Sequence, residues 1–227
     1  MHTTCCVRLV LAVLVLATTI GTADTQMATS PRLREGGLPA RIPEAFGGGE
    51  VVLELAVESS GAVTRVEHLR VTPPYADVLA HSAAAWRFEP ATELIGGRTA
   101  AVPARVLVVA LFRPASFYAG PAPGIPLQVR GLPSPQLPHP DSLIMPAYPP
   151  TATGSGMVLV EIDMTARTGP RGYRVVSPAS GFDGAALDAV RAWRFSTPRA
   201  VNAPEQVFVY AVLGFRAPLA PATAPPR

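Results

Sequence analysis

The chain has 227 residues, 48% of them hydrophobic and 15% charged, with a net charge of +3. So apolar a chain is not wholly disordered. A charge this small for the length argues against a dedicated nucleic-acid binder, which concentrates positive charge on one face.

Residues 1–23 read as a secretory signal. Arg8 supplies the positive end, residues 9–20 a short apolar run, and Gly21-Thr22-Ala23 the small residues that a signal peptidase reads. Cleavage after Ala23 would place the mature protein in the periplasm. The alternative is an uncleaved segment that anchors the chain in the inner membrane. Cys5 and Cys6 both lie inside this segment, so the mature chain has no cysteine and must rest on its core.

The rest of the chain contains itself twice. Trp86-Arg87-Phe88 recurs as Trp193-Arg194-Phe195, an offset of 107 residues. The same offset carries Pro39 onto Pro146, Gly49 onto Gly156 and Glu54 onto Glu161. After the Trp-Arg-Phe the second copy is four residues shorter, so that Phe112 matches Phe215. Residues 38–113 and 143–217 form the two copies. Between them, residues 114–142 read as a Pro-rich spacer, because Pro lacks an N–H and fixes φ. Residues 218–227 read as a disordered tail.

Each copy opens on a strand with period-two alternation. Val51, Leu53, Leu55 and Val57 share one face, with Val52, Glu54 and Ala56 on the other; Val158, Val160, Ile162 and Met164 repeat the pattern. Turns at Ser60-Gly61 and at Thr168-Gly169-Pro170 lead into second strands at about 63–71 and 172–177. Helices follow. Tyr75, Leu79, Ala83 and Trp86 form one apolar stripe, and Phe182, Ala186, Val190 and Trp193 form its copy. Asp77 and Asp183 lie near the helix starts and Arg87 and Arg194 near the ends, as the helix dipole favours, with Pro90 and Pro198 as stops. The Trp residues read as core anchors, with a cofactor stack as the alternative. Last strands run over 105–112 and 206–215. Val207, Val209, Ala211 and Leu213 occupy one face of the second, and Phe208, Tyr210 and Val212 the other. Apolar residues on both faces imply that the side away from the helix is covered as well. Within one copy the antiparallel order is second, first, last, which leaves the last strand on an edge.

No chemistry stands out. His2, His68, His81 and His139 have no metal-ligand spacing. Gly154-Ser155-Gly156 is too short for a nucleophile elbow, and Gly47-Gly48-Gly49 precedes a strand where a phosphate loop precedes a helix. Asp183 and Asp188 do not face each other on a helix. The expectation is a non-enzyme without metal or cofactor.

Pro146-Ala147-Tyr148-Pro149, the Gly156 strand, the helix and Ala192-Trp193-Arg194-Phe195 together resemble the C-terminal periplasmic domain of the TonB energy transducers. Trp86-Arg87-Phe88-Glu89-Pro90 matches the family's helix ending in full, while Arg41-Ile42 stands where the second copy has Tyr148-Pro149, so the first copy reads as degenerate. The resemblance implies an α+β chain of two tandem small domains, each a three-stranded antiparallel sheet packed on one main helix. It makes Trp86, Arg87, Phe88, Trp193, Arg194 and Phe195 structural. It implies that the edge strand with Gln206, Val207, Phe208, Val209, Tyr210 and Ala211, beside Tyr148, receives a partner strand in transport across the outer membrane. Backbone pairing would give affinity and side-chain pockets selectivity. The implied partner is an outer-membrane TonB-dependent receptor or another periplasmic protein, with inner-membrane motor proteins behind it. The alternative is a periplasmic scaffold or adaptor without energy transduction, in which the two edges pair with each other or with a second copy.

Overall fold

The computed structural model describes residues 29–45, 47–115, 127–165, 167–200 and 203–218. The expected signal at 1–23 and all but Pro218 of the expected tail lie outside these residues. The chain runs β1 (Arg32–Glu35), β2 (Gly49–Val57), β3 (Val63–Val71), α1 (Tyr75–Ala84), β4 (Arg87–Glu89), β5 (Ala91–Ile95), β6 (Arg98–Val102), β7 (Ala104–Phe112), β8 (Gln128–Val129), β9 (His139–Ser142), β10 (Gly156–Thr165), β11 (Gly169–Ser177), α2 (Asp183–Ala192), β12 (Arg194–Ser196) and β13 (Gln206–Phe215).

These strands do not make two domains. One seven-stranded mixed sheet runs through the molecule in the order β11-β10-β13-β7-β2-β3-β8. Of the described residues, 47% lie in strands and 11% in helices. The expectation of an α+β chain of two tandem domains, each with its own three-stranded sheet, is therefore overturned. The order second, first, last does occur in each half, as β3-β2-β7 and β11-β10-β13. What the expectation missed is that β7 and β13 pair with each other, in parallel. The reason lies in their sequences. Both strands are apolar on both faces, and a unit with one helix covers only one of them. Pairing β7 with β13 removes two exposed edges and lets each helix cover a face spanning both halves.

The packing follows that plan. On one face α1 packs with Leu53 and Val108 from its own half and with Phe208, Tyr210 and Val212 of β13. On the other face α2 packs with Val160 and Val209 from its half and with Val52, Leu107 and Val109 from the first. Equivalent residues of β7 and β13 are 103 apart (Phe112 and Phe215), yet the register pairs Leu107 with Val209, 102 apart. One residue of offset exchanges the faces. The halves are thus related by a rotation of about half a turn around an axis along the strands, with the helices on opposite sides. Parallel strands are ordinarily covered on both faces, and the parallel pair sits at the centre of this sheet.

Equivalent contacts recur in the two halves. Trp86 is 0% exposed and Trp193 1%. The Trp86 indole N–H donates to the Gly37 carbonyl at 2.8 Å and that of Trp193 to Ile144 at 3.0 Å, acceptors again 107 apart. Both Trp follow their helices, and the Arg-Phe after them leaves the helix. Arg87-Phe88-Glu89 is β4 and pairs with β1, while Arg194-Phe195-Ser196 is β12 and pairs with β9. The span expected as a spacer therefore contributes to the fold. In it Gln128–Val129 is β8 on the sheet edge and His139–Ser142 is β9, the counterpart of β1. The repeat accordingly starts at Arg32, upstream of Pro39.

Gly49 and Gly156 open the first strand of each copy because an aromatic ring lies on them. A Cβ at Gly49 would fall 2.2 Å from the Tyr75 ring, and one at Gly156 2.7 Å from Phe182. Tyr75 cannot yield. Its ring stacks on Phe112 at 4.6 Å and its hydroxyl donates to the Gly47 carbonyl at 2.6 Å. Gly49→Ala is therefore expected to destabilise the protein by ~1–3 kcal/mol through overpacking, measured as a lower midpoint in urea unfolding. An unchanged midpoint would refute this account of the glycine.

Candidate functional site

The strand expected to receive a partner is the strand least able to do so. β13 pairs antiparallel with β10 along its whole length and parallel with β7 from Val209 to Gly214. Val207, Phe208, Val209, Tyr210 and Ala211 are all buried. Val207, Val209 and Ala211 point to the α2 face, and Phe208 and Tyr210 to the α1 face. Gln206 donates from its side-chain nitrogen to Asp163 at 2.9 Å. Tyr148 lies elsewhere. It packs edge-on against Phe182, and its hydroxyl hydrogen-bonds the Gly154 carbonyl at 2.9 Å. These residues form a core and a loop brace and offer no open row of backbone groups.

The open rows are at the two ends of the sheet. The β3 end is partly closed by the chain itself. Gln128 and Val129 of β8 pair antiparallel with Val71 and Arg70. The next backbone N–H groups, of Arg130 and Gly131, both donate to the Leu69 carbonyl, at 2.8 and 3.2 Å. An extended segment flanked by prolines thus adds to the outer strand of the first half. At the other end, all nine residues of β11 have β10 on one side and no strand on the other among the described residues.

The two ends can be compared residue for residue. β10–β11 and β2–β3 share one register, with bulges at equivalent places. At the offset of 107, Ser60, Thr64, Glu67 and Ala84 of the first half become Arg167, Arg171, Arg174 and Arg191 of the second, and Arg87 is matched by Arg194. Arg167, Arg171, Arg174, Arg191 and Arg194 are all exposed. Arg171 pairs with Asp163 at 2.9 Å, Arg174 with Glu161 at 2.9 Å and Arg191 with Asp188 at 3.4 Å. Arg167 and Arg194 make no ion pair among the described residues. Tyr173 sits among these cations. Burial raises its hydroxyl pKa, against the pull of Arg191 and Arg194. In the sequence this signal lies in the substitutions between the copies and not in the residues the copies share.

Beneath both hairpins lies a carboxylate. Glu54 and Glu161 are each 2% exposed. Each stands on the face that the other half covers. Glu54 accepts from Arg105 and from the Ser134 backbone N–H at 2.7 Å. Glu161 accepts from Arg174 at 2.9 and 3.1 Å, from Arg32 at 3.1 Å and from the Tyr210 hydroxyl at 3.3 Å. The Tyr210 oxygen accepts in turn from the Leu33 N–H at 2.6 Å. Burial alone would raise the Glu161 pKa, but hydrogen bonds from the two guanidinium groups outweigh it and hold the carboxyl below its ordinary range. The pair with Glu161 also raises Arg32.

No three His, Cys, Asp or Glu are grouped to hold a metal among the described residues. None of the described helices is long and apolar enough to cross a membrane. No known protein family, curated protein or solved structure matches the chain.

Proposed function

We propose that the protein is a periplasmic adaptor that captures an extended segment of a partner protein on β11, in transport across the outer membrane and without transducing energy itself. The observation that carries this reading is the different fate of the strand edges. The TonB-like units consume their last strands on each other, and β11 keeps a nine-residue edge with no strand beside it. Strand addition suits such an edge, since backbone pairing supplies the affinity. The first half supports the mode of binding, because β8 already lies on its outer strand. Pairing of the two last strands favours the adaptor over the energy transducer, in which a last strand must stay free for its receptor.

The test is titration of the mature protein with N-terminal peptides of outer-membrane transporters, read by backbone amide shifts. Shifts along β11 with β13 unmoved are expected; shifts in β13 with β11 silent would overturn the reading. Gly172→Pro and Val175→Pro sharpen it. Across the bulge-free stretch from Gly172 to Val175 successive N–H groups point to opposite sides, so one of these two substitutions, three residues apart, removes a ladder bond to β10 and the other an outward donor. One variant is expected to lose ~1–2 kcal/mol of stability. The other should stay stable and lose peptide binding at least tenfold.

A further inference from the structure

We infer that the segment taken up by β11 is acidic, its carboxylates facing the guanidinium groups that the second half has acquired around this edge. This rests on the proposed capture of a strand by β11. The two halves serve as each other's control, because register and bulges agree. At four equivalent positions the second half has exchanged Ser60, Thr64, Glu67 and Ala84 for Arg167, Arg171, Arg174 and Arg191, and it keeps Arg194. The second half loses Arg65 and Arg70 to Gly172 and Ser177, so its hairpin and helix end carry five cations against three in the first, a difference that packing alone does not require.

The placement of the charges matters more than their number. Tyr173 and Val175 point to the α2 face and Arg174 to the opposite one, while Arg171 sits in the bulge and pairs with Asp163 on the Glu161 side. Tyr173, Arg191 and Arg194 therefore border the α2 side of the open edge. The resident acids leave Arg191 and Arg194 open to a partner. Asp163 and Glu161 hold Arg171 and Arg174, and the Arg191–Asp188 pair is surface-exposed, with side chains 57% and 78% accessible, so it exchanges readily for another carboxylate. Arg167 and Arg194 have no acid partner among the described residues. A strand docked on β11 with acids at alternate positions would bring them over Arg194 and Arg191, and a salt-dependent association rate would follow. A second copy of the chain is a poor occupant by the same argument, since its own β11 carries the same cations.

The test uses the mature full-length chain and two ten-residue peptides, one alternating Thr with Glu and the other Thr with Lys. The Glu peptide is expected to shift β11 amides and to bind at least tenfold more tightly than the Lys peptide, with affinity falling as salt is raised. The double variant R191Q/R194Q, changed only at exposed positions, is expected to weaken the Glu peptide roughly fivefold and leave the Lys peptide unweakened. Three results overturn the inference. Equal binding of both peptides at β11 removes the charge preference and leaves strand capture standing. Binding of neither, together with no β11 shifts from transporter peptides, removes capture as well. A dimer at micromolar concentration that Gly172→Pro or Val175→Pro dissolves would make the second copy the occupant and would also overturn it.

Discussion

Trp193→Ala is expected to cost ~3–5 kcal/mol, and the variant should still unfold in one step. The first part follows from burial: the ring is 1% exposed and its N–H is tied to Ile144. The second follows from the sheet. The core around Trp193 includes Val52, Leu107 and Val109 of the first half, and the core around Trp86 includes Phe208, Tyr210 and Val212 of the second. Neither half owns a complete core, so a cavity on either face weakens both. The two Trp make the measurement direct. In Trp86→Phe the remaining indole reports the α2 face, and in Trp193→Phe the α1 face. Urea unfolding followed by each indole and by far-ultraviolet circular dichroism should give coincident midpoints. Separate midpoints for the two indoles would mean two independent domains and would refute the continuous sheet. Residues 143–217 expressed alone should lack fixed structure, because β13 would expose Phe208, Tyr210 and Val212 to water.

Much of the local structure was legible in the sequence. Period-two alternation marked β2 and β10, the 3.6-residue stripe marked α1 and α2, and the repeat tied them together. What could not be read was where one unit stops. The apolar residues on both faces of 206–215 did imply a second cover, but sequence alone did not say that the cover is the other copy's helix. A pattern fixes which face of a strand is dry and is silent on which neighbour lies along its edge. For the same reason the partner-binding residues fell on β13. The unit considered alone makes β13 an edge, and the parallel pair with β7 makes it the centre. The Arg residues around β11 were visible as letters, but they gained meaning only when the shared register showed Ser60, Thr64, Glu67 and Ala84 at the same places. The short pairs of β1 with β4 and β9 with β12 had no periodicity to reveal them, since Pro140 lies in one and each strand has only three or four residues.

Glu161→Ala is expected to cost about 3 kcal/mol near neutral pH, because it leaves Arg32, Arg174 and the Tyr210 hydroxyl without their common acceptor. The two guanidinium groups are about half exposed, at 47% and 50%, and partial hydration keeps the loss at the lower end for a buried pair. Glu161→Gln separates charge from shape. The folded-state pKa of Glu161 is depressed, so its charge stabilises the fold fully above the unfolded value of about 4.3. That stabilisation is lost as pH falls through the lower folded value. The stability gap between the native protein and Glu161→Gln should therefore be constant from pH 7 to about 5 and shrink progressively below about 4. A gap that persists undiminished at pH 3 would show that the carboxylate charge is not what joins these groups. The join itself has a structural meaning. Arg32 and Leu33 belong to β1, at the start of the first half, whereas Glu161, Arg174 and Tyr210 belong to the second. The carboxylate thus clamps the first strand of one copy across the sheet of the other. Its loss should loosen β1 first, visible as faster amide exchange at Leu33 than at Val209 in the centre of the sheet.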